Sequence, residues 1–178
     1  MKSICEILRD SESDKEQAGI HRYGEVYDIL LGKYRDKPGF SLLEIGVHRG
    51  ASLKAWEEAF PKGSIWGIDS NTVPGVKMLT GDAYHAMMVN QLFDVDAKFD
   101  VIIDDGSHTY EHHQFFFAHY QQFLKPGGII IAEDCMADPV NYTLAQFTQL
   151  AKDYDLTIID TRNKLTACWC DLILFKIV

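Results

Sequence analysis

The sequence predicts an α/β fold: a doubly wound, seven-stranded Rossmann-like sheet, mostly parallel, with one antiparallel edge strand. Three observations lead there. Short apolar runs alternate with amphipathic stretches from Phe40 onward, and an acidic residue with two glycines stands where the first run gives way to a helix. Later runs end in acidic residues, at the place where such a sheet opens its ligand crevice.

Taken in order, Ser11 to Arg35 carries Ile20, Tyr23, Tyr27, Leu30 and Leu31 at helical spacing, which predicts an N-terminal helix laid on the sheet. Strands are expected at Leu42 to Ile45, Ser64 to Ile68, Val76 to Leu79, Phe99 to Ile103, Gly128 to Ala132, Leu156 to Ile159 and Cys170 to Ile177. Helices at Ala51 to Phe60, Tyr84 to Leu92 and Tyr110 to Leu124 fall between the first five, so those strands run parallel through right-handed crossovers. Thr161 to Lys164 is turn-like and the space before Leu172 is too short for a crossover helix, so the last two strands form an antiparallel hairpin at one edge. Residues 1–38 are then a helical segment packed on a ligand-binding unit of residues 39–178, one structural domain in all.

Composition narrows the function. The chain has 178 residues, 47% of them apolar, enough for one substantial core, and no apolar run approaches the ~20 residues that span a bilayer. A net charge of −9 argues against a surface that tracks nucleic-acid phosphates, so small molecules are the expected partners, with a homo-oligomer as an open alternative. Cys5, Cys135, Cys168 and Cys170 lack CxxC spacing and read as buried reduced thiols, which together with the lack of a signal-like segment after Met1 predicts a cytoplasmic protein.

The first strand ends in Glu44-Ile45-Gly46-Val47-His48-Arg49-Gly50, and small residues there let a ligand approach the backbone. This is ExGxxxG and not GxGxxG, so the turn is less suited to a pyrophosphate. Asp69 closes the second strand about twenty residues later, where a carboxylate accepts ribose hydroxyls. Gly81-Asp82 follows the third strand, with Asp82 the candidate for an adenine amine. Glu44, Gly46, Val47, Ser52, Asp69, Gly81, Asp82 and Asp104 are the cofactor candidates.

The fourth strand ends in Asp104-Asp105-Gly106-Ser107-His108 and the fifth in Glu133-Asp134. Neighbouring strand ends face one crevice, so Asp105, Glu133 and Asp134 are expected to converge, and carboxylates without thiolates suit a hard divalent ion such as Mg²⁺.

The order of these features, with Lys125-Pro126-Gly127-Gly128 as a turn before the fifth strand, resembles the class I methyltransferases dependent on S-adenosylmethionine (SAM). The IDDGSH and ED motifs are similar to the metal-dependent sugar O-methyltransferases of macrolide and related antibiotic pathways, and to cephalosporin hydroxylase-like proteins. The resemblance implies SAM as cofactor, a divalent ion on Asp105, Glu133 and Asp134, and His108 as the base that takes a proton from a small-molecule hydroxyl, that of a sugar or glycosylated natural product. Catechol O-methyltransferases resemble the same spacing, with a lysine as base. Ser13-Asp14-Lys15 and His21-Arg22-Tyr23 resemble the TDK and HxY elements of the sugar enzymes, which implies that Lys15, His21 and Tyr23 edge the pocket and adds Lys15 and Tyr23 to the cofactor candidates.

Two other functions stay open at this stage: a hydroxylase-like member of the same fold, and a noncatalytic SAM-binding module. Bland readings stand beside the sharp ones. His108 and His112 are one helical turn apart, but no HExxH glutamate accompanies them, so zinc is disfavoured and His113 and His119 read as packing or surface residues. Phe115, Phe116, Phe117, Tyr120, Phe123, Trp56, Trp66 and Trp169 read as core. Asp104 can hydrogen-bond locally.

Overall fold

The computed structural model describes residues 1–17, 20–136, 142–162 and 172–178. Seven strands, β1 (Ser41–Ile45), β2 (Ser64–Asp69), β3 (Met78–Thr80), β4 (Phe99–Asp104), β5 (Leu124–Ala132), β6 (Thr157–Asp160) and β7 (Leu172–Ile177), form one sheet in the order β3-β2-β1-β4-β5-β7-β6. The first five pair in parallel, and β7 is antiparallel to both of its neighbours. The hairpin lies at the sheet's edge as expected, with the reversed strand second from the margin and β6 outside it. A helix absent from the sequence reading explains this: α6 (Leu144–Asp153) crosses from β5 to β6 and restores the parallel direction. Its start is marked by a capping box of Thr143 and Gln146.

The first five strands alternate through helices α3 (Ala51–Ala59), α4 (Ala86–Asp94) and α5 (Tyr110–Tyr120), close to the expected ranges. The single helix expected over 11–35 is corrected to α1 (Ile4–Asp10), a 3-10 turn at Asp14–Glu16 and α2 (Gly24–Leu31). Ser13 caps the turn through its side chain, and the apolar stripe holds only where Tyr23, Tyr27 and Leu31 are buried, Ile20 being exposed. Asp28 of α2 accepts the backbone N–H groups of Ile4 and Cys5 at 2.7 and 3.2 Å, tying the start of α1 to α2. Lys125 to Gly128 is likewise an irregularity inside β5 and not a turn before it: pairing with β4 jumps from Phe99–Leu124 to Val101–Ile129. Cys168, Trp169, Cys170 and the later part of the expected 161–164 turn lie outside the described residues.

Strand alternation divides the core. Leu42, Val101, Ile103, Ile129, Ile131 and Ile173 pack with α1, α2 and α3, where Trp56 is buried. Leu43, Ile45, Ile102, Ile130, Ala132 and Leu174 pack on the other face with Phe116, Phe117 and Tyr120 of α5 and with residues of α4 and α6. Among the described residues no helix is long and apolar enough to cross a membrane.

Candidate active site

The same alternation, carried to the strand ends, sorts the acids. Glu44 follows the face of Leu42, and Glu133 comes one residue after Ala132, so both turn toward the layer of α1 to α3. Asp105 joins them there, and Lys15 meets all three: its ammonium lies 2.5 Å from Asp105 Oδ2, 2.7 Å from Glu133 Oε2 and 3.2 Å from Glu44 Oε1, with the side chain 1% exposed. Burial alone would lower the pKa of Lys15, but the three carboxylates outweigh it and hold the group well above its ordinary value. Burial pushes Glu133 up to about 7, with Lys15 opposing and Asp134 adding to the rise. Burial also raises Glu44, which Lys15, the Ser52 hydroxyl at 2.6 Å and the Trp56 indole at 3.3 Å support as a carboxylate.

Two tyrosines complete this layer. Tyr27 donates its hydroxyl hydrogen to Glu133 Oε1, and Tyr23 donates to Asp134 Oδ1. His21 stacks on Tyr23 and places Nδ1 3.4 Å from the same Asp134 oxygen.

The outward oxygens converge elsewhere. His108 Nε2 lies 3.9 Å from Asp105 Oδ1 and 3.9 Å from Asp134 Oδ2, and one ligand atom from each of the three residues lies within 4.8 Å of the others. His108 and Asp134 both hold left-handed backbone, with φ of +57° and +49°, a conformation that bends each loop back over the strand ends.

Asp104 takes the opposite face. Its Oδ1 accepts the Tyr84 hydroxyl at 2.6 Å and the Gly106 N–H at 3.2 Å, while Oδ2 is buried without a partner among the described residues. Burial pushes its pKa up to about 7, against the Tyr84 and Gly106 hydrogen bonds and with help from Asp105. His112 stacks on Tyr84 with centroids 3.9 Å apart and bonds Ser107, and His119 packs on Phe115. His113 is fully buried, which drives its pKa down to about 3, with His108 and His112 adding to the fall. The structure thus brings His108 to carboxylates and the other three histidines to packing positions.

A cleft of about 1190 Å³ runs along the carboxyl ends of β1, β2 and β4. Gly46 makes its floor possible: with φ +88°, a Cβ there would lie 2.0 Å from the Asp105 carbonyl oxygen, so β1 and β4 could not approach as they do. Asp69 accepts the N–H groups of Val47 and His48, each at 2.9 Å, and of Asn71 at 2.8 Å. Burial pulls its pKa up, but these amides outweigh it and the carboxyl stays below its ordinary range. Of the expected cofactor residues, Gly46, Val47, Ser52, Asp69, Gly81 and Asp82 line the cleft, as do Asp105, His108 and Asp134. Glu44, Asp104, Tyr23 and Lys15 are buried behind it, and Glu133, expected as a metal ligand, stands behind it with Lys15 and Tyr27. Sequence reasoning assigned no polar role to Tyr27 or Tyr84. Tyr27 stands one helical turn after Tyr23, and Tyr84 two residues after Asp82, and those spacings were the available signals.

A family model described as a methyltransferase domain matches residues 43–135, slightly more than half the chain. The chain is 34% identical over 137 residues to L-olivosyl-oleandolide 3-O-methyltransferase of Streptomyces antibioticus, covering 69% of this chain and 34% of that protein. It is 32% identical over 127 residues to mycinamicin VI 2''-O-methyltransferase of Micromonospora griseorubida, covering 65% of this chain and 32% of that protein. The chain therefore spans about a third of the length of these curated relatives. Among solved structures, MycE methyltransferase from the mycinamycin biosynthetic pathway, in complex with Mg, SAH and mycinamycin VI, superposes with a TM-score of 0.76 at 23% identity, over 99% of this chain and 54% of that one.

Proposed function

From the premise that the chain belongs to the methyltransferase domain family, we propose that it is a SAM-dependent, divalent-metal-assisted O-methyltransferase acting on a sugar hydroxyl of a glycosylated natural product. The observation that carries this reading is the convergence of Asp105, His108 and Asp134 in the cleft that Asp69 and the Gly46 turn also line. The names of the relatives supply the substrate class: one is a mycinamicin VI 2''-O-methyltransferase and the other an L-olivosyl-oleandolide 3-O-methyltransferase.

In this reading Asp69, ionised and held by three backbone amides, accepts the ribose hydroxyls of SAM, and Asp82 meets the adenine amine. Gly46, Val47, Ser52 and Gly81 border the cofactor, while Glu44 and Asp104 support the strand ends from behind. The residues fit a divalent ion, because carboxylate oxygens of Asp105 and Asp134 already face one point. Glu133 stands behind them, with its oxygens on Tyr27 and Lys15, and would support Asp105 through the shared ammonium. The ion, when bound, lowers the pKa of a nearby hydroxyl and orients it. His108 takes that hydroxyl's proton at Nε2 as the oxygen bonds to the SAM methyl carbon and the sulfur–methyl bond breaks, leaving S-adenosylhomocysteine. Nε2 must then be the unprotonated nitrogen, which leaves the ring hydrogen on Nδ1, buried with no partner among the described residues.

The small-molecule reading needs no nucleic acid. A cytoplasmic setting suits the free, buried Cys5 and Cys135. Residues 1–38 and 39–178 are taken as one domain because Ile4, Leu8, Tyr27 and Leu31 share a core with Leu42, Val101 and Ile131.

The test is methyl transfer from SAM to deoxysugar-bearing macrolides, mycinamicin VI among them, with and without EDTA. Chelation should abolish turnover and Mg²⁺ restore it, and His108→Ala should lower kcat by roughly 10²- to 10⁴-fold with SAM affinity retained. Turnover indifferent to EDTA, or a His108→Ala rate near wild type, would refute the mechanism. SAM bound without transfer to any acceptor would favour the binding-module reading.

A further inference from the structure

Each acid at the mouth of the cleft splits its two oxygens between a support and the opening. Asp105 gives Oδ2 to the Lys15 ammonium and turns Oδ1 to His108 Nε2. Asp134 gives Oδ1 to the Tyr23 hydroxyl and turns Oδ2 to the same nitrogen. Glu133 has both oxygens engaged from behind, Oε1 by Tyr27 and Oε2 by Lys15. All three supporting side chains are fully buried and precede the first strand, so they lie ahead of residues 43–135.

We propose that Tyr23 and Tyr27 are positioning residues of the cation site, and that Lys15 is its fixed internal counter-charge. A carboxylate can rotate about its last bond, and nothing in β4 or β5 by itself decides which oxygen faces the cleft. The Tyr23 hydroxyl, with His21 Nδ1 3.4 Å from the same oxygen, decides it for Asp134. Tyr27 acts at one remove: it fixes Glu133, Glu133 fixes the ammonium, and the ammonium fixes Asp105. The layer of α1 to α3 is thereby part of the site, and the region ahead of β1 does more than cover apolar surface. Supports of this kind typically alter metal affinity by 10- to 100-fold when removed.

This rests on the metal reading of the preceding section, and the experiment separates the two. Mn²⁺ binding to the intact chain is measured by the loss of free-ion electron paramagnetic resonance signal, for wild type, Tyr23→Phe, Tyr27→Phe and Tyr34→Phe, with melting temperature recorded for each. Phenylalanine keeps the ring in its packing, so the variants are expected to fold. Tyr34 belongs to the same layer but donates to the Gly127 carbonyl at 2.9 Å, remote from the acids, and serves as the control.

Tyr23→Phe is expected to weaken Mn²⁺ by roughly 10- to 100-fold and Tyr27→Phe by about 10-fold, with Tyr34→Phe unchanged. Equal Mn²⁺ affinity in wild type, Tyr23→Phe and Tyr27→Phe would overturn this proposal and leave the metal reading standing. Equal losses in all three variants would assign the effect to general packing and also overturn it. A wild-type chain that binds no Mn²⁺ would overturn the metal reading and the positioning role together.

Discussion

Asp104 and Asp105 are adjacent in sequence, yet they meet opposite chemical surroundings on the two faces of the sheet. On the side of α1 to α3, Asp105 shares a buried ammonium with Glu44 and Glu133. On the side of α4 to α6, Asp104 has a tyrosine hydroxyl and a backbone amide, and among the described residues no cation forms an ion pair with it. The lesson is about how charge is held near a strand end. On one face a buried ammonium opposes the burial cost of the acids, although Glu133 still rises to about 7 and Glu44 is raised; on the other no such cation opposes it, and the rise of Asp104 to about 7 and the fall of His113 to about 3 express burial alone or nearly so.

The largest effect is expected from removing the cation. Lys15→Met leaves Glu44 and Glu133 buried and uncompensated, and breaking a buried pair by removing one partner costs on the order of 3–5 kcal/mol. Urea unfolding at pH 7 measures it. A loss below about 1 kcal/mol would mean the carboxylates relax or protonate so readily that the ammonium is not what balances them.

How much of this contrast was legible beforehand follows from the same residues. The acids at the ends of β1, β2, β4 and β5 and their nearness to one crevice followed from strand order alone, because a parallel sheet must bring those ends together. Alternation could also have assigned Asp104 and Asp105 to different faces. The resemblance of Ser13-Asp14-Lys15 put Lys15 at the edge of the pocket, but not its role: Lys15 is 90 residues from Asp105 and 118 from Glu133, and the pairing of its ammonium with the acids depends on the break between α1 and α2. The N-terminal apolar spacing pointed to one long helix, and that expectation hid the turn that carries Lys15 and left Tyr27 as a packing residue. The missed α6 was legible: Leu144, Phe147, Leu150 and Ala151 stand at helical spacing beside the Thr143–Gln146 capping box, signals that went unread next to the short stretch before Leu172.

A second, pH-dependent effect sharpens the comparison from the neutral face. His113 is buried among His108, His112 and Tyr142 and stays unprotonated in the fold down to about pH 3, whereas in the unfolded chain an ordinary histidine gains its proton below about 6.5. Its folded pKa is depressed, so the unfolded state binds more protons across this window. Stability is therefore full above about pH 6.5, declines as pH falls toward 3, and loses nothing further from this residue below that. His113→Phe removes the contribution. The difference between wild type and variant should change by about 2 kcal/mol between pH 7 and pH 5, in the sense that the variant is less acid-sensitive. Parallel acid limbs in denaturant titrations of the two proteins would show that His113 accepts its proton within the fold.

The smallest expected effect is the most direct test of the contrast, because it places a neutral isostere at Asp104. What the fold uses at this position is an acceptor: Oδ1 receives the Tyr84 hydroxyl at 2.6 Å and the Gly106 N–H at 3.2 Å. An asparagine keeps that oxygen in the same place and the same volume. Its amide nitrogen would stand where Oδ2 already lies buried without a partner among the described residues, so the variant inherits an unmet polar group of a kind the wild type already has. No cation is left behind either, which distinguishes this substitution from Lys15→Met. Asp104→Asn should therefore change stability at pH 7 by no more than about 1 kcal/mol, with the Tyr84–His112 stack retained. Denaturant unfolding gives the number. A loss of 3 kcal/mol or more, on the scale of a broken buried pair, would show that Asp104 acts as a charge after all, and the two faces of the sheet would then hold their acids by the same means.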